Sequence, residues 1–185
     1  MYTKTFEKNK QKLYSINVLK DFLENARVNR ILEVDTTIKY KKPRDILKKS
    51  KHYEGDNSNG VYVWKSLDKN IDLYTGKSGI KRDSSIGGRT EHHVRSIHHA
   101  IKGTCASSRE SSGPKFLAFM RENNLIKATF EIRYLDMTTH PIGSELFYEE
   151  QLIEILKTPI NDEYNNVPAA TKKKPLKNNL DEFMN

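Results

Sequence analysis

Apolar residues first recur at helical spacing at Ile16, Leu19, Phe22, Leu23 and Ala26, which predicts a helix near 15–27. A shorter helix is expected around Arg44 to Lys51, because Pro43 suits a helix opening. The run Glu54-Gly55-Asp56-Asn57-Ser58-Asn59-Gly60 is dense in turn formers and reads as a boundary. Beyond it the period shortens. Gly60-Val61-Tyr62-Val63-Trp64 and Ile71-Asp72-Leu73-Tyr74 are rich in β-branched and aromatic residues, with Asp68-Lys69-Asn70 between them. That spacing predicts a β-hairpin. A Gly/Ser/Lys loop is expected from Gly76 to Gly88, then a helix over about Arg89 to Ile101 and a loop over 103–113. A helix near Lys115–Asn123, a strand near Ile126–Leu135 and a helix near Ser144–Lys157 follow. From Asp162 apolar periodicity fades, and Lys172-Lys173-Lys174-Pro175 reads as a loosely held basic tail rather than a nuclear-targeting signal.

These elements give a mixed α+β class: a small antiparallel β-sheet flanked by helices, with a helical N-terminal extension. The expected division is a basic helical extension over 1–55, a core over 56–165 and a tail over 166–185. With 185 residues, the chain has the size of one domain. No run of about 18 apolar residues is present, so no membrane span is expected. Met1-Tyr2-Thr3-Lys4 opens no apolar segment, and the single cysteine, Cys105, makes neither a disulfide framework nor a cysteine-built zinc site. An intracellular, cytoplasmic location is the corresponding expectation. Thirty-two Lys and Arg against 24 Asp and Glu give a net charge of +8, which raises the expectation of a polyanionic partner, usually nucleic acid. A well-solvated lysine-rich surface explains the same excess.

Two helices each carry residues out of place. Over 144–157, Leu146, Leu152, Ile153 and Leu156 share one face, with Gln151 and Glu154 opposite. Glu149 points with the apolar stripe, and a buried carboxylate is costly unless it is paired or binds a cation. It is therefore either a salt-bridge partner at the core edge or a carboxylate at the floor of a cleft. Over 89–101, Val94, Ile97, Ala100 and Ile101 form the buried face, with Arg89 and His93 at its edge. His92, Arg95 and His99 form an outward stripe suited to phosphates. Beyond that stripe, His52, His92, His98, His99 and His140 suggest no chemistry of their own; the paired histidines could bind metal adventitiously, but no carboxylate or cysteine completes a zinc spacing.

Gly60-Val61-Tyr62, Tyr74-Thr75-Gly76, Arg89 with His93 four residues on, and Glu149 with Asn161 twelve residues on occur in one order. Together with Leu152-Ile153 and Pro159-Ile160-Asn161, they resemble the GIY-YIG nuclease superfamily over about 60–161. Thr75 stands where that family usually has an aliphatic residue. The stretch from Tyr74 to Arg89, with Lys81, Arg82 and Gly87-Gly88, resembles insertions of its small restriction-endonuclease members.

The resemblance implies hydrolysis of DNA phosphodiester bonds with one divalent cation, Mg²⁺ or Mn²⁺, and no nucleotide cofactor. Glu149 would be the cation ligand, since hard cations take oxygen ligands. Arg89 would bind the scissile phosphate through its permanently charged fork. Tyr62 would orient or activate the attacking water, His93 would assist as proton relay, and Tyr74 would bond the phosphate or Tyr62. Asn161 would fix local geometry or cap the turn after Pro159. Double-stranded DNA would meet Lys77, Lys81, Arg82, His92 and Arg95, with Arg109 and Lys115 as further candidates. Cutting both strands would need a homodimer or sequential nicking. Open beside the restriction reading are a repair or mobile-element nuclease, a non-catalytic nucleic-acid-binding protein that keeps the fold, and a basic structural protein.

Overall fold

The computed structural model describes residues 17–79, 85–104 and 112–162. Residues 17–25 are helical (α1). Then come β1 Arg27–Asp35, α2 Arg44–Leu47, β2 Lys51–His52, β3 Gly60–Ser66 and β4 Ile71–Ser78. The second half holds α3 Ile86–Ile101, α4 Ser112–Glu122, β5 Lys127–Asp136, α5 Ser144–Leu156 and α6 Pro159–Asp162. The strands form one five-stranded sheet in the order β2-β1-β5-β3-β4, with every neighbouring pair antiparallel. The expected mixed α+β class is what the chain adopts.

The hairpin forms because β3 and β4 alternate side chains on a pleated surface and Asn70 turns the chain in the left-handed region, at φ 53°. Strand β3 is buried on both faces. Tyr62 and Trp64 enter one core with Leu32, Val34, Phe130 and Ile132, while Val61 and Val63 enter another with Leu135 and Leu152. The first core is closed by Val94 and Ile97 of α3, Phe116 of α4 and Ile160 of α6. The second is closed by Val18 and Phe22 of α1 and by α5.

Three expectations are corrected. The helical extension expected over 1–55 does not stand apart where it is described, over 17–55, because β1 lies between β2 and β5, and Leu32, Val34, Tyr40 and Ile46 belong to the main core. The turn run 54–60 is likewise not a boundary. It clamps the start of α3, with Gly87 N–H donating to Asp56 O at 2.9 Å and Ile86 N–H to Ser58 O at 2.9 Å. The Asp56 carboxylate in turn accepts from Asn29 Nδ2 (3.0 Å) and faces Arg30 and His52. Third, the buried line of α5 runs through Leu152 with Tyr148 and Leu156 at four-residue steps; Gln151 is buried and Leu146 is 45% exposed. The helix packs on β3 and β4 in a phase set by that contact, and Leu146 and Phe147 of its first turn stay exposed. The expected tail over 166–185 lies outside the described residues.

Helix α3 starts three residues before the expected Arg89. Ser85 caps it by accepting from Gly88 N–H at 3.3 Å, which removes one of the orphan donors of the first turn. Arg89 thereby stands in the first turn, next to the clamp.

Candidate active site

Strand alternation sends Tyr62 inward from β3, and the helical step from Arg89 brings His93 to meet it. The Tyr62 hydroxyl lies 2.8 Å from His93 Nε2, and both side chains are buried. His93 is not at the edge of its helix's apolar face, as expected, but inside it, because α4 covers that side. Its ring packs edge-on against Trp64 at 5.5 Å and Tyr74 at 4.9 Å between centroids, an arrangement ring quadrupoles favour. The second ring nitrogen, Nδ1, lies 2.9 Å from Ser112 Oγ.

Burial sets the protonation of this group. It pushes His93 from the ordinary 6.5 to about 3, with the nearby Arg89 and His92 adding to the effect, so the imidazole is neutral. Burial also raises the Tyr62 phenol well above 10, reinforced by Tyr74 and opposed by Arg89. Tyr74 is raised for the same reason, again against Arg89. For Arg89 itself burial favours the neutral form, but Tyr62, Tyr74 and Glu149 outweigh it and keep the guanidinium charged. Arg89 is the common neighbour of two phenols and a carboxylate.

Glu149 reaches this centre from α5 and is half-buried. Burial raises its pKa, while Lys77, Arg89 and the Lys77 main-chain amide stabilise the ionised form. Among the described residues it closes no direct ion pair with either cation. Nor do three potential ligand side chains gather anywhere among those residues. A lone carboxylate suits a hard cation that keeps several waters and takes its other ligands from a substrate phosphate. It would not suit zinc.

Asn161 acts at one remove. Its Oδ1 accepts from Thr75 N–H at 2.8 Å and its Nδ2 donates to Thr75 O at 2.9 Å, a two-point clasp on the main chain of β4. Thr158 Oγ also donates to Oδ1 at 2.8 Å. The clasp fixes the strand that carries Tyr74. Gly76 sits beside both phenols, and a Cβ there would lie 2.6 Å from the Tyr62 hydroxyl and 2.9 Å from the Tyr74 ring. A side chain at that position would displace the rings.

Of the expected nucleic-acid contacts, Lys77 stands beside Glu149, Arg95 is exposed on α3, and the half-buried His92 stacks edge-on with His93 at 6.1 Å. Lys81, Arg82 and Arg109 lie outside the described residues. Lys115 turns inward, donating to Ile160 O at 3.3 Å. Gly76, quoted in a motif but given no role, makes room for the phenols by lacking a side chain, and Ser112, which fell in an expected loop and instead opens α4, escaped the sequence reading. Its place in a Gly/Ser stretch gave no signal. Compared with protein-family models, curated proteins and solved structures, the chain matches none. Among the described residues no helix is long and apolar enough to cross a membrane.

Proposed function

We propose that the chain is a divalent-cation-dependent DNA endonuclease that hydrolyses phosphodiester bonds, of the kind its sequence resemblance to the GIY-YIG superfamily implies. The observation that carries this reading is the convergence on Arg89 of Tyr62, Tyr74 and Glu149, with His93 bonded to Tyr62. Packing alone does not call for a half-buried carboxylate beside a half-buried arginine and two phenols.

Arg89 would hold the scissile phosphate by two of its fixed N–H donors, as its planar fork allows and a lysine would not. Tyr62, anchored by His93, would orient the attacking water, and Tyr74 would bond a phosphate oxygen. Glu149 would hold Mg²⁺ or Mn²⁺, which when bound neutralises charge on the phosphate and on the leaving oxygen. Lys77 and Arg95 would contact the flanking backbone, whose contacts position the duplex rather than read it.

The test is cleavage of supercoiled plasmid and mixed-sequence linear DNA with and without Mg²⁺, alongside Glu149→Ala. Cation-dependent cutting that drops at least about 10³-fold in the variant, with its melting temperature kept, is the expected result. Discrete fragments would assign site-specific restriction, and a smear or nicked circles a repair or mobile-element role. Retarded DNA that is never cut, across several cations, would replace the enzyme with a binding module.

A further inference from the structure

Tyr62 and His93 are both buried away from bulk solvent, at 0% and 3% exposure. A buried imidazole that takes a proton and keeps it becomes a buried cation, and here Arg89 already supplies one positive charge next to it. His93 can therefore move a proton only by releasing another at its far nitrogen. The group at that nitrogen is Ser112, half-buried at the first position of α4.

From this geometry we infer that Ser112 is a positioning residue and proton outlet, completing a relay that runs from Tyr62 through His93 to the surface. A neutral imidazole has one donor and one acceptor, so its two bonds are coupled. With the Tyr62 hydroxyl donating to Nε2, Nδ1–H donates to Ser112 Oγ. Reversing one bond reverses the other.

The step balances without an imidazolium. The attacking water's O–H bond breaks and its proton goes to the Tyr62 oxygen, while the water oxygen bonds to phosphorus, the bond from phosphorus to the leaving oxygen breaks, and that oxygen takes a proton from solvent in place of the one the relay releases. The Tyr62 proton passes to Nε2, the Nδ1 proton to Ser112 Oγ, and the Ser112 hydroxyl proton to solvent. Tyr62 ends as a phenol, Ser112 as a hydroxyl, and His93 as its other neutral tautomer.

The start of α4 is fixed where the relay needs it. Gly113 N–H donates to Ser96 Oγ at 2.8 Å, and Ser96 lies three residues along α3 from His93. A Cβ on Gly113 would come within 2.1 Å of Ser96 O, so the two helices meet there at the closest approach their backbones permit. This contact holds the start of α4, and with it Ser112, against α3.

The inference rests on the nuclease reading, and the experiment separates the two. Single-turnover cleavage by wild type, Ser112→Ala and Ser112→Thr is measured with Mg²⁺ in H₂O and D₂O. The His93 tautomer is read independently by long-range ¹H–¹⁵N NMR on the proteins without DNA. Ser112→Ala is expected to slow cleavage about 10–100-fold with KM unchanged, and Ser112→Thr to restore it, as for loss and recovery of a proton-transfer partner. The wild-type ring should show one tautomer and the alanine variant a mixture. Wild type that cuts while Ser112→Ala cuts equally fast overturns the relay alone, as does a threonine variant no better than alanine or a tautomer indifferent to position 112. Wild type that never cuts overturns the nuclease reading and the relay with it.

Discussion

Tyr62 and Trp64 leave β3 toward one face of the sheet and Val61 and Val63 toward the other, and the two faces are packed by different means. Toward α3 and α4 the contacts are aromatic: Trp64 meets Phe116 at 4.9 Å and His93 at 5.5 Å, and Phe116 meets Phe130 at 5.5 Å. Toward α1 and α5 the layer is thinner, with Val18, Phe22, Leu135 and Leu152 as its core and Phe147 and Ile142 left 43% and 86% exposed. The candidate site draws on both. Tyr62, Tyr74, Arg89 and His93 stand on or against the aromatic wall, whose rings have few rotamers once packed. Glu149 rides on a helix held by fewer groups. The phenol–imidazole pair is thus fixed by packing, while the carboxylate depends on how α5 docks.

The sharpest way to break this contrast is Trp64→Ala, which opens the aromatic wall. It should cost about 3–5 kcal/mol by the cavity and transfer terms, and collapse the His93 environment with it. Urea unfolding followed by circular dichroism gives the stability loss, and the His93 ring shifts report the site. Leu152→Ala attacks the thinner layer. A loss of about 2–3 kcal/mol is expected, with the Tyr62–His93 bond intact but, on the proposed nuclease reading, more Mg²⁺ needed for half-maximal cleavage. Equal disturbance of His93 by both variants would show that the two faces are not separable.

The same contrast governs what could be read from sequence. The hairpin, β5, α3 and α5 follow from period alone, since each buries a regular stripe, and Glu149 was conspicuous because it sits among apolar positions. Strand β1 was not legible. Only Leu32 and Val34 alternate cleanly in a charged stretch, and its main partner, β5, pairs Leu32 with Phe130 across nearly a hundred residues. The phase of α5 was misread for a related reason: which of several apolar stripes is buried depends on how the helix crosses the sheet. Asn161 gave no local sign that it would clasp Thr75, 86 residues earlier. Ser112 likewise gains its role only when α4 docks on α3. Local pattern revealed the elements; long-range pairing decided which polar groups meet.

Acid should act chiefly on the aromatic face, where His93 and His98 are both buried and held below their ordinary pKa by desolvation. The unfolded chain binds protons at these sites that the folded chain refuses, so stability is complete above about pH 6.5 and falls as pH drops toward the folded values. For one such histidine the slope is at most about 1.4 kcal/mol per pH unit. Melting curves between pH 6.5 and 5 should show it, before carboxylates contribute. His93→Gln should flatten the slope, and a slope unchanged by that variant would mean His93 is not neutral in the fold.

The smallest effect tests the other face. Tyr148 on α5 donates to Asp21 Oδ2 of α1 at 2.9 Å, joining the two helices of the thin layer. Burial and the hydrogen bond and charge of Asp21 push the phenol up to about 12. The folded state therefore keeps a proton that the unfolded chain loses above about pH 10, so this link weakens stability only as pH rises from about 10 through 12. Tyr148→Phe removes one partly exposed bond and should cost about 1 kcal/mol at neutral pH, leaving the ring's packing in place. Denaturant melts of both proteins measure the loss, and absorbance titration near 295 nm should show one high-pKa tyrosine missing from the variant. This bond also limits the motion of α5, whose first turn is exposed. Amide exchange along α5 should then quicken in Tyr148→Phe while that along α3 stays the same, because Asp21 bonds Tyr148 and Asn25 on the other side of the sheet.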